Sequence, residues 1–227
     1  MKTSLQLVGA IHEDPSKYLR EPSLELMEAF LNGYFTRYCE SDSPIPNHDY
    51  ISYLNIPLVD FSEWIAAKYN FGHSRSAFAI LSLLYAPGKA FEKFFSEIDE
   101  FCRDKALKTI PQVTTKLCLT EEAIDRAADV QRLKAEGAMI FGWASIDLLR
   151  SYLEGDSHAI VEIYGAVSIF PDLDKFEKWI NKIYKTKSSL QWEKLLLFLC
   201  NGDQTKAYFK FFSLLDNFMS QKRTKKA

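Results

Sequence analysis

The amino-acid sequence predicts an all-α protein, a tandem duplication of a roughly five-helix unit that forms a compact helical bundle or short helical array. Three observations lead there. Apolar residues recur at three- and four-residue spacing, one ordered series of residues is met twice, and capping and breaking residues fall between the stripes at matching places. With 227 residues, 47% of them hydrophobic and 14% aromatic, the chain has ample material for a packed core.

The duplication is clearest in the later part of each copy. FSEWIAAKYNFGHSRSAFAILSLLY from Phe61 and FEKWINKIYKTKSSLQWEKLLLFLC from Phe176 align at a shift of 115 residues. Phe61, Trp64, Ile65, Tyr69, Ser74, Leu81 and Leu84 thereby meet Phe176, Trp179, Ile180, Tyr184, Ser189, Leu196 and Leu199. After two extra residues, KAFEKFFSEIDEF from Lys89 matches KAYFKFFSLLDNF from Lys206, so Phe94-Phe95 answers Phe211-Phe212 and Asp99 answers Asp216. Upstream, a shift of 122 carries Ser23, Leu26, Leu31 and Gly33 onto Ser145, Leu148, Leu153 and Gly155, and Val8 and Ile11 onto Val130 and Leu133. Unit one is accordingly placed at residues 1–104 and unit two at 120–220, joined by a connector at 105–119 and followed by a basic tail at 221–227. Pro111 and Thr114-Thr115 break any continuous helix through the connector.

Each element follows from its local pattern. Phe61, Trp64, Ile65 and Tyr69 form an apolar helical stripe, with Asp60 and Glu63 as a capping-box-like start; Asp174 and Glu177 open its counterpart. Ala77, Ile80, Leu81 and Leu84 make the next stripe, capped by Ser74 and ended by Pro87-Gly88. Its counterpart, Trp192, Leu195, Leu196 and Leu199, ends at Asn201-Gly202. Phe91, Phe94, Phe95, Ile98 and Phe101 close the unit. The first helix of unit two is expected to start at Thr120, with Glu121-Glu122 in its first turn, and to end near Gly137, where unit one has Pro15. The only stretches with a strand-like composition are Tyr50 to Val59 and Ile160 to Phe170, which mix β-branched and aromatic residues.

Composition narrows the function. A net charge of −2 argues against a surface built throughout to coat nucleic acid or anionic membrane. Cys39, Cys102, Cys118 and Cys200 are far apart and form no CxxC pair, which reads as reduced, structural thiols. The N-terminal apolar stretch is broken by Gln6 and runs into His12-Glu13-Asp14-Pro15 without a cleavage pattern, and no apolar run is long enough to span a bilayer. A cytoplasmic protein with no membrane partner is expected.

No catalytic constellation stands out. His12, His48, His73 and His158 have no zinc-like spacing to one another or to a cysteine, and there is no nucleophile elbow or phosphate loop. No metal, no cofactor and no enzymatic activity are expected. Glu97 with Asp99 and Glu100, and Glu121 with Glu122, read as solvated helix faces; Asp99 and Asp216, repeated at matched positions, point to a structural role such as an interhelical hydrogen bond. The tail Lys222-Arg223-Thr224-Lys225-Lys226 reads as a solvated terminus, because no aromatic residues interleave it.

The two units differ most between Gly33 and Phe61. That stretch is longer than its counterpart between Gly155 and Phe176, and it gathers Tyr34, Tyr38, Tyr50 and Tyr53 with Glu40, Asp42, Asp49 and Asp60 around Pro44 and Pro46. Tyrosines supply large contact area with few rotatable bonds, and acidic neighbours steer a basic partner. Tyr34, Tyr38, Glu40, Asp42, Asp49, Tyr50 and Tyr53 are the candidate partner-binding residues. The alternative is that the tyrosines roof the core with their hydroxyls in water.

The series Tyr18-Leu19, Ser23, Leu26, Phe30-Leu31, Gly33-Tyr34, Phe61, Trp64, Ser74, Ile80-Leu81, Ala90 and Phe94-Phe95 resembles a loosely defined group of uncharacterised bacterial all-helical proteins. These in turn resemble the small products that accompany secreted polymorphic toxins. The chain departs from the pattern at Arg20, where a glycine is expected; Gly142 keeps that glycine in unit two. The resemblance implies an immunity protein that occludes the active site of a cognate toxin, with a basic toxin domain as partner, and it carries over no catalytic residue. The alternative function is a nucleic-acid-associated helical regulator or adaptor that uses the basic tail. An enzyme would instead require a polar pocket where the units meet.

Overall fold

In a computed structural model, residues 4–40, 47–72, 75–105, 126–164, 173–186 and 190–224 are described. Ten α-helices and no strand lie among them. Five precede residue 105: α1 (Ser4–Glu13), α2 (Leu24–Glu40), α3 (Asn47–Lys68), α4 (Ala77–Leu84) and α5 (Pro87–Asp104). Five follow: α6 (Arg126–Ile140), α7 (Ile146–Tyr164), α8 (Leu173–Ile183), α9 (Trp192–Leu199) and α10 (Gln204–Thr224). A 3₁₀ turn, Pro15–Lys17, follows α1. Among the described residues no helix is long and apolar enough to cross a membrane.

Equivalent chemistry ends and begins these helices in both halves. The Ser23 hydroxyl accepts the backbone N–H of Leu26 at the start of α2, and the Ser145 hydroxyl accepts that of Leu148 at the start of α7. At the ends of α3 and α8, Asn70 and Lys185 take positive φ of 58° and 50°. That conformation lets the Phe71 N–H reach the Ala66 carbonyl and the Thr186 N–H reach the Asn181 carbonyl, closing both helices. Each of these pairs is related by the shift seen in the sequence, 122 for the serines and 115 for the caps.

Two aromatic cores repeat one packing. Phe61 stands edge-on to Phe94 (5.3 Å, 82°) and Phe176 edge-on to Phe211 (5.4 Å, 77°). Trp64 meets Phe101 at 5.9 Å and Trp179 meets Phe218 at 5.5 Å. Offset and edge-on rings satisfy the π quadrupole while burying large apolar area, which is why these positions hold aromatics in both halves.

The halves join where α2 crosses α7. A Cβ on Gly33 would run into the carbonyl oxygen of Tyr152, and one on Gly155 into that of Phe30, so both glycines are needed for this close approach. The two contacts exchange under the shift of 122, as in an isologous interface. Polar groups are matched across the buried crossing: Ser151 donates to the Leu26 carbonyl (2.8 Å), and Arg37 Nε donates to Asp156 (2.6 Å), both of these side chains being buried.

Several sequence expectations are corrected. Tyr50 to Val59 lies within α3, and Ile160 to Tyr164 within α7, because the apolar stripe continues at helical spacing and outweighs local β propensity; the rest of the second segment lies outside the described residues. Asp60 and Glu63 sit inside α3, so they do not start it. Helix α4 is capped by Ser76, whose hydroxyl accepts the Ala79 N–H (3.2 Å); Ser74 lies outside the described residues. Helix α6 runs through Gly137 to Ile140, and there the glycine makes room for the Tyr208 hydroxyl, which donates to the Leu133 carbonyl. Burial pushes the Tyr208 pKa up to about 12. Residues 221–224 of the expected tail extend α10. Thr120, Glu121 and Glu122, and the connector after Lys105, lie outside the described residues.

Candidate functional site

The expected partner-binding residues divide. Tyr34 is corrected: it is 1% exposed, and its hydroxyl donates to Glu162 Oε2 (2.7 Å) on α7. The face of α2 that carries Gly33 also carries Tyr34, so the helix crossing buries it and removes it from any surface site. Tyr38 and Glu40 lie in the last turn of α2, and Asp49, Tyr50 and Tyr53 in the first half of α3; their side chains lie outside the described residues, as does Asp42 altogether. Helix α3 has 22 residues, and 11 residues of α8 lie among those described. Within α3, Tyr53 follows Asp49 by four residues and Tyr50 by three, so its position neighbours both on the helix surface.

Two clefts flank the α2–α7 crossing, the first of them lined by apolar as well as polar side chains. One, of about 320 Å³, lies between α2, the start of α4 and the α6–α7 loop, and is lined by Glu25, Glu28, Asn32, Ser76, Phe141, Gly142 and Trp143. The other, of about 240 Å³, lies between α7, the start of α9 and the loop before α2, and is lined by Lys17, Tyr18, Arg20, Arg150, Glu154, His158 and Gln191. A shift of 122 carries Glu25, Glu28 and Asn32 onto Asp147, Arg150 and Glu154, and Arg20 and Glu21 onto Gly142 and Trp143. A shift of 115 carries Ser76 onto Gln191, each of which precedes the first residue of its helix. The clefts thus occupy matched places with different chemistry.

In the second cleft the charges are matched from within. Arg150 Nε donates to Glu154 (2.8 Å), its Nη1 donates to the fully buried Glu193, and the guanidinium lies 5.9 Å from the centre of the Trp192 ring. Burial alone would lower the Arg150 pKa; the charges of Glu193 and Glu154 outweigh it and hold the pKa above its ordinary value. Burial raises the Glu154 pKa despite Arg150. Arg20 Nη1 donates to Asp147 (3.3 Å) and stands 3.8 Å from Glu193. Asp147 also receives the Gln204 amide (2.6 Å).

In the first cleft the acid is not matched in this way. Glu28 accepts the Ser76 hydroxyl (3.0 Å); desolvation raises its pKa, the Ser76 hydrogen bond opposes the rise and the Glu25 charge adds to it. Trp143, 49% exposed, stands on the loop beside Gly142.

Elsewhere, Glu97 overturns the expectation of a solvated acidic face. Its side chain is fully buried, accepting from Lys68 (2.7 Å) and Tyr69 (2.8 Å) and pairing with Lys93 (2.5 Å). Asp99 is exposed, and Asp216 joins α10 to α6 through Lys134 at 3.0 Å, an interhelical pair at the surface. His12 stacks on Phe95 (4.0 Å, 7°), and His158 packs beside Tyr18 and Phe30; His48 and His73 are not described at side-chain level. Cys102 and Cys200 are half-buried free thiols. Among the described residues no three His, Cys, Asp or Glu side chains are grouped to hold a metal ion.

Sequence reading missed the arginine cluster because its members are dispersed over three segments. One signal was present: Arg20 and Gly142 stand at positions related by the shift of 122. No family model matches the chain, and comparison with curated proteins and with solved structures finds no match.

Proposed function

We propose that the chain is a non-enzymatic binding protein made by duplication of one five-helix unit, and that it acts as an immunity protein that covers the active site of a basic toxin domain. The observation that carries this reading is the asymmetry between the halves. Caps, aromatic cores and the helix crossing correspond at shifts of 122, 115 and 117, whereas the stretch from Gly33 to Phe61 that carries Asp49, Tyr50 and Tyr53 is longer than its counterpart between Gly155 and Phe176, and no match to it lies among the described residues of α8. Positions shared by both halves serve folding. The uncopied helical segment, with tyrosines and carboxylates at neighbouring positions, has the composition of a surface that anchors through aromatic area and selects by charge.

The test uses the full chain as bait in extracts of the source cell, followed by an activity assay of the captured protein. A basic toxin inhibited at one-to-one stoichiometry supports the reading. The double variant Asp49→Asn/Tyr50→Ala is expected to lose affinity about tenfold or more, or about 1.4 kcal/mol, with its helical content unchanged. Full affinity and protection in that variant would refute the surface assignment.

A further inference from the structure

We propose that the cleft between α2, α4 and the α6–α7 loop receives a guanidinium, the side chain of an arginine carried by a protein partner. The matched cleft shows how this architecture seats such a group. There the loop residue Arg20 reaches Asp147, and a second guanidinium, Arg150, lies between two carboxylates near Trp192.

In the proposed cleft the acceptor of Arg20 has been kept and neither arginine has; Glu154 and Glu193, the acceptors of Arg150, are matched by Asn32 and Phe78. Glu25 stands at the position of Asp147, but the loop residue matched to Arg20 is Gly142, and the position of Arg150 holds Glu28. Among the described residues no lysine or arginine lines this cleft and no cation pairs with Glu25 or Glu28. Trp143, half-exposed on the same loop, offers a flat π face. A guanidinium fits this set better than an ammonium does. Its planar fork donates to two carboxylates at once, and its weakly hydrated face stacks on indole. Burial and the charge of Glu25 work against ionised Glu28, and a cation seated between the two relieves both.

The protein source of the arginine rests on the binding-protein reading; recognition of the guanidinium does not. The full chain is titrated with Nα-acetyl-arginine methylamide while the indole N–H resonance of Trp143, assigned with Trp143→Phe, is followed by NMR. The citrulline and lysine analogues are titrated in parallel. A saturable shift is expected with arginine, a response about threefold or more weaker with lysine, and none with citrulline. Glu25→Gln/Glu28→Gln is expected to weaken arginine binding about tenfold while leaving the circular dichroism spectrum intact. No response to arginine, equal binding of citrulline or lysine, or an unaffected double variant would overturn the proposal. A failed toxin capture with an intact arginine titration would refute only the immunity reading, and the reverse pattern only the cleft.

Discussion

Replacing Gly33 with alanine adds one methyl group at the α2–α7 crossing, and the structure gives its sign and size. The new Cβ would meet the Tyr152 carbonyl oxygen, with the neighbouring Asp156 N–H also close. These are backbone atoms of a helix and cannot swing aside as a side chain does. That oxygen lies 2.0 Å from the added Cβ, so restoring ordinary contact at about 3.5 Å requires the helices to part by about 1.5 Å, enough to forfeit about half or more of each affected dispersion contact. Overpacking of this kind costs about 3 kcal/mol, at the top of its usual range, and the better helix propensity of alanine returns about 1. The net loss is about 2 kcal/mol, a fall of roughly 4–8 °C in Tm for a chain of this size. Urea denaturation measures it, with Gly9→Ala as the control. Gly9 lies in α1 with nothing within 4 Å of its added Cβ, so the same substitution there is expected to stabilise by up to about 1 kcal/mol. Because Gly155 sits at the same crossing, the Gly33→Ala/Gly155→Ala pair is expected to cost less than the sum of its parts. If Gly33→Ala proved neutral or stabilising, as Gly9→Ala is expected to be, the close crossing would be refuted.

Two further outcomes follow from the buried charges. Burial would raise the Glu97 pKa, but the hydrogen bonds from Lys68, Lys93 and Tyr69 outweigh it and hold it below the ordinary 4.5. A carboxylate with a depressed folded-state pKa adds stability that is fully present above its unfolded value and is lost as pH falls through the folded one. Urea midpoints measured between neutral pH and about pH 3 are therefore expected to fall more steeply for wild type than for Glu97→Gln; parallel curves would remove Glu97 from this role. Arg37→Met leaves buried Asp156 without its guanidinium, and is expected to cost about 3–5 kcal/mol in the same denaturation assay. A loss under about 1 kcal/mol would show that water or other groups solvate Asp156 as well as Arg37 does.

The sequence by itself determined the helical class, the placement of most helices and the makeup of the cores. Periodicity and helix stops are local, so the Asn201-Gly202 stop could be read without coordinates, and the matched aromatics Phe61 and Phe94, Phe176 and Phe211 could be assigned to cores. It also exposed Gly33 and Gly155 as a pair, without saying what the pair does. Only the tertiary structure decided that. Which face of α2 meets α7 depends on contacts between residues about 120 positions apart, and that choice buries Tyr34, pairs Arg37 with Asp156 and opens a cleft on either side of the crossing. Charge followed the same division. Glu97 read as solvent-facing because a sequence shows the sign of a side chain but not its distance from a counter-ion, and Arg20 became intelligible only when folding brought it to Asp147 and Glu193. Helices are specified by neighbours along the chain; clefts and buried ion pairs are specified by neighbours in space.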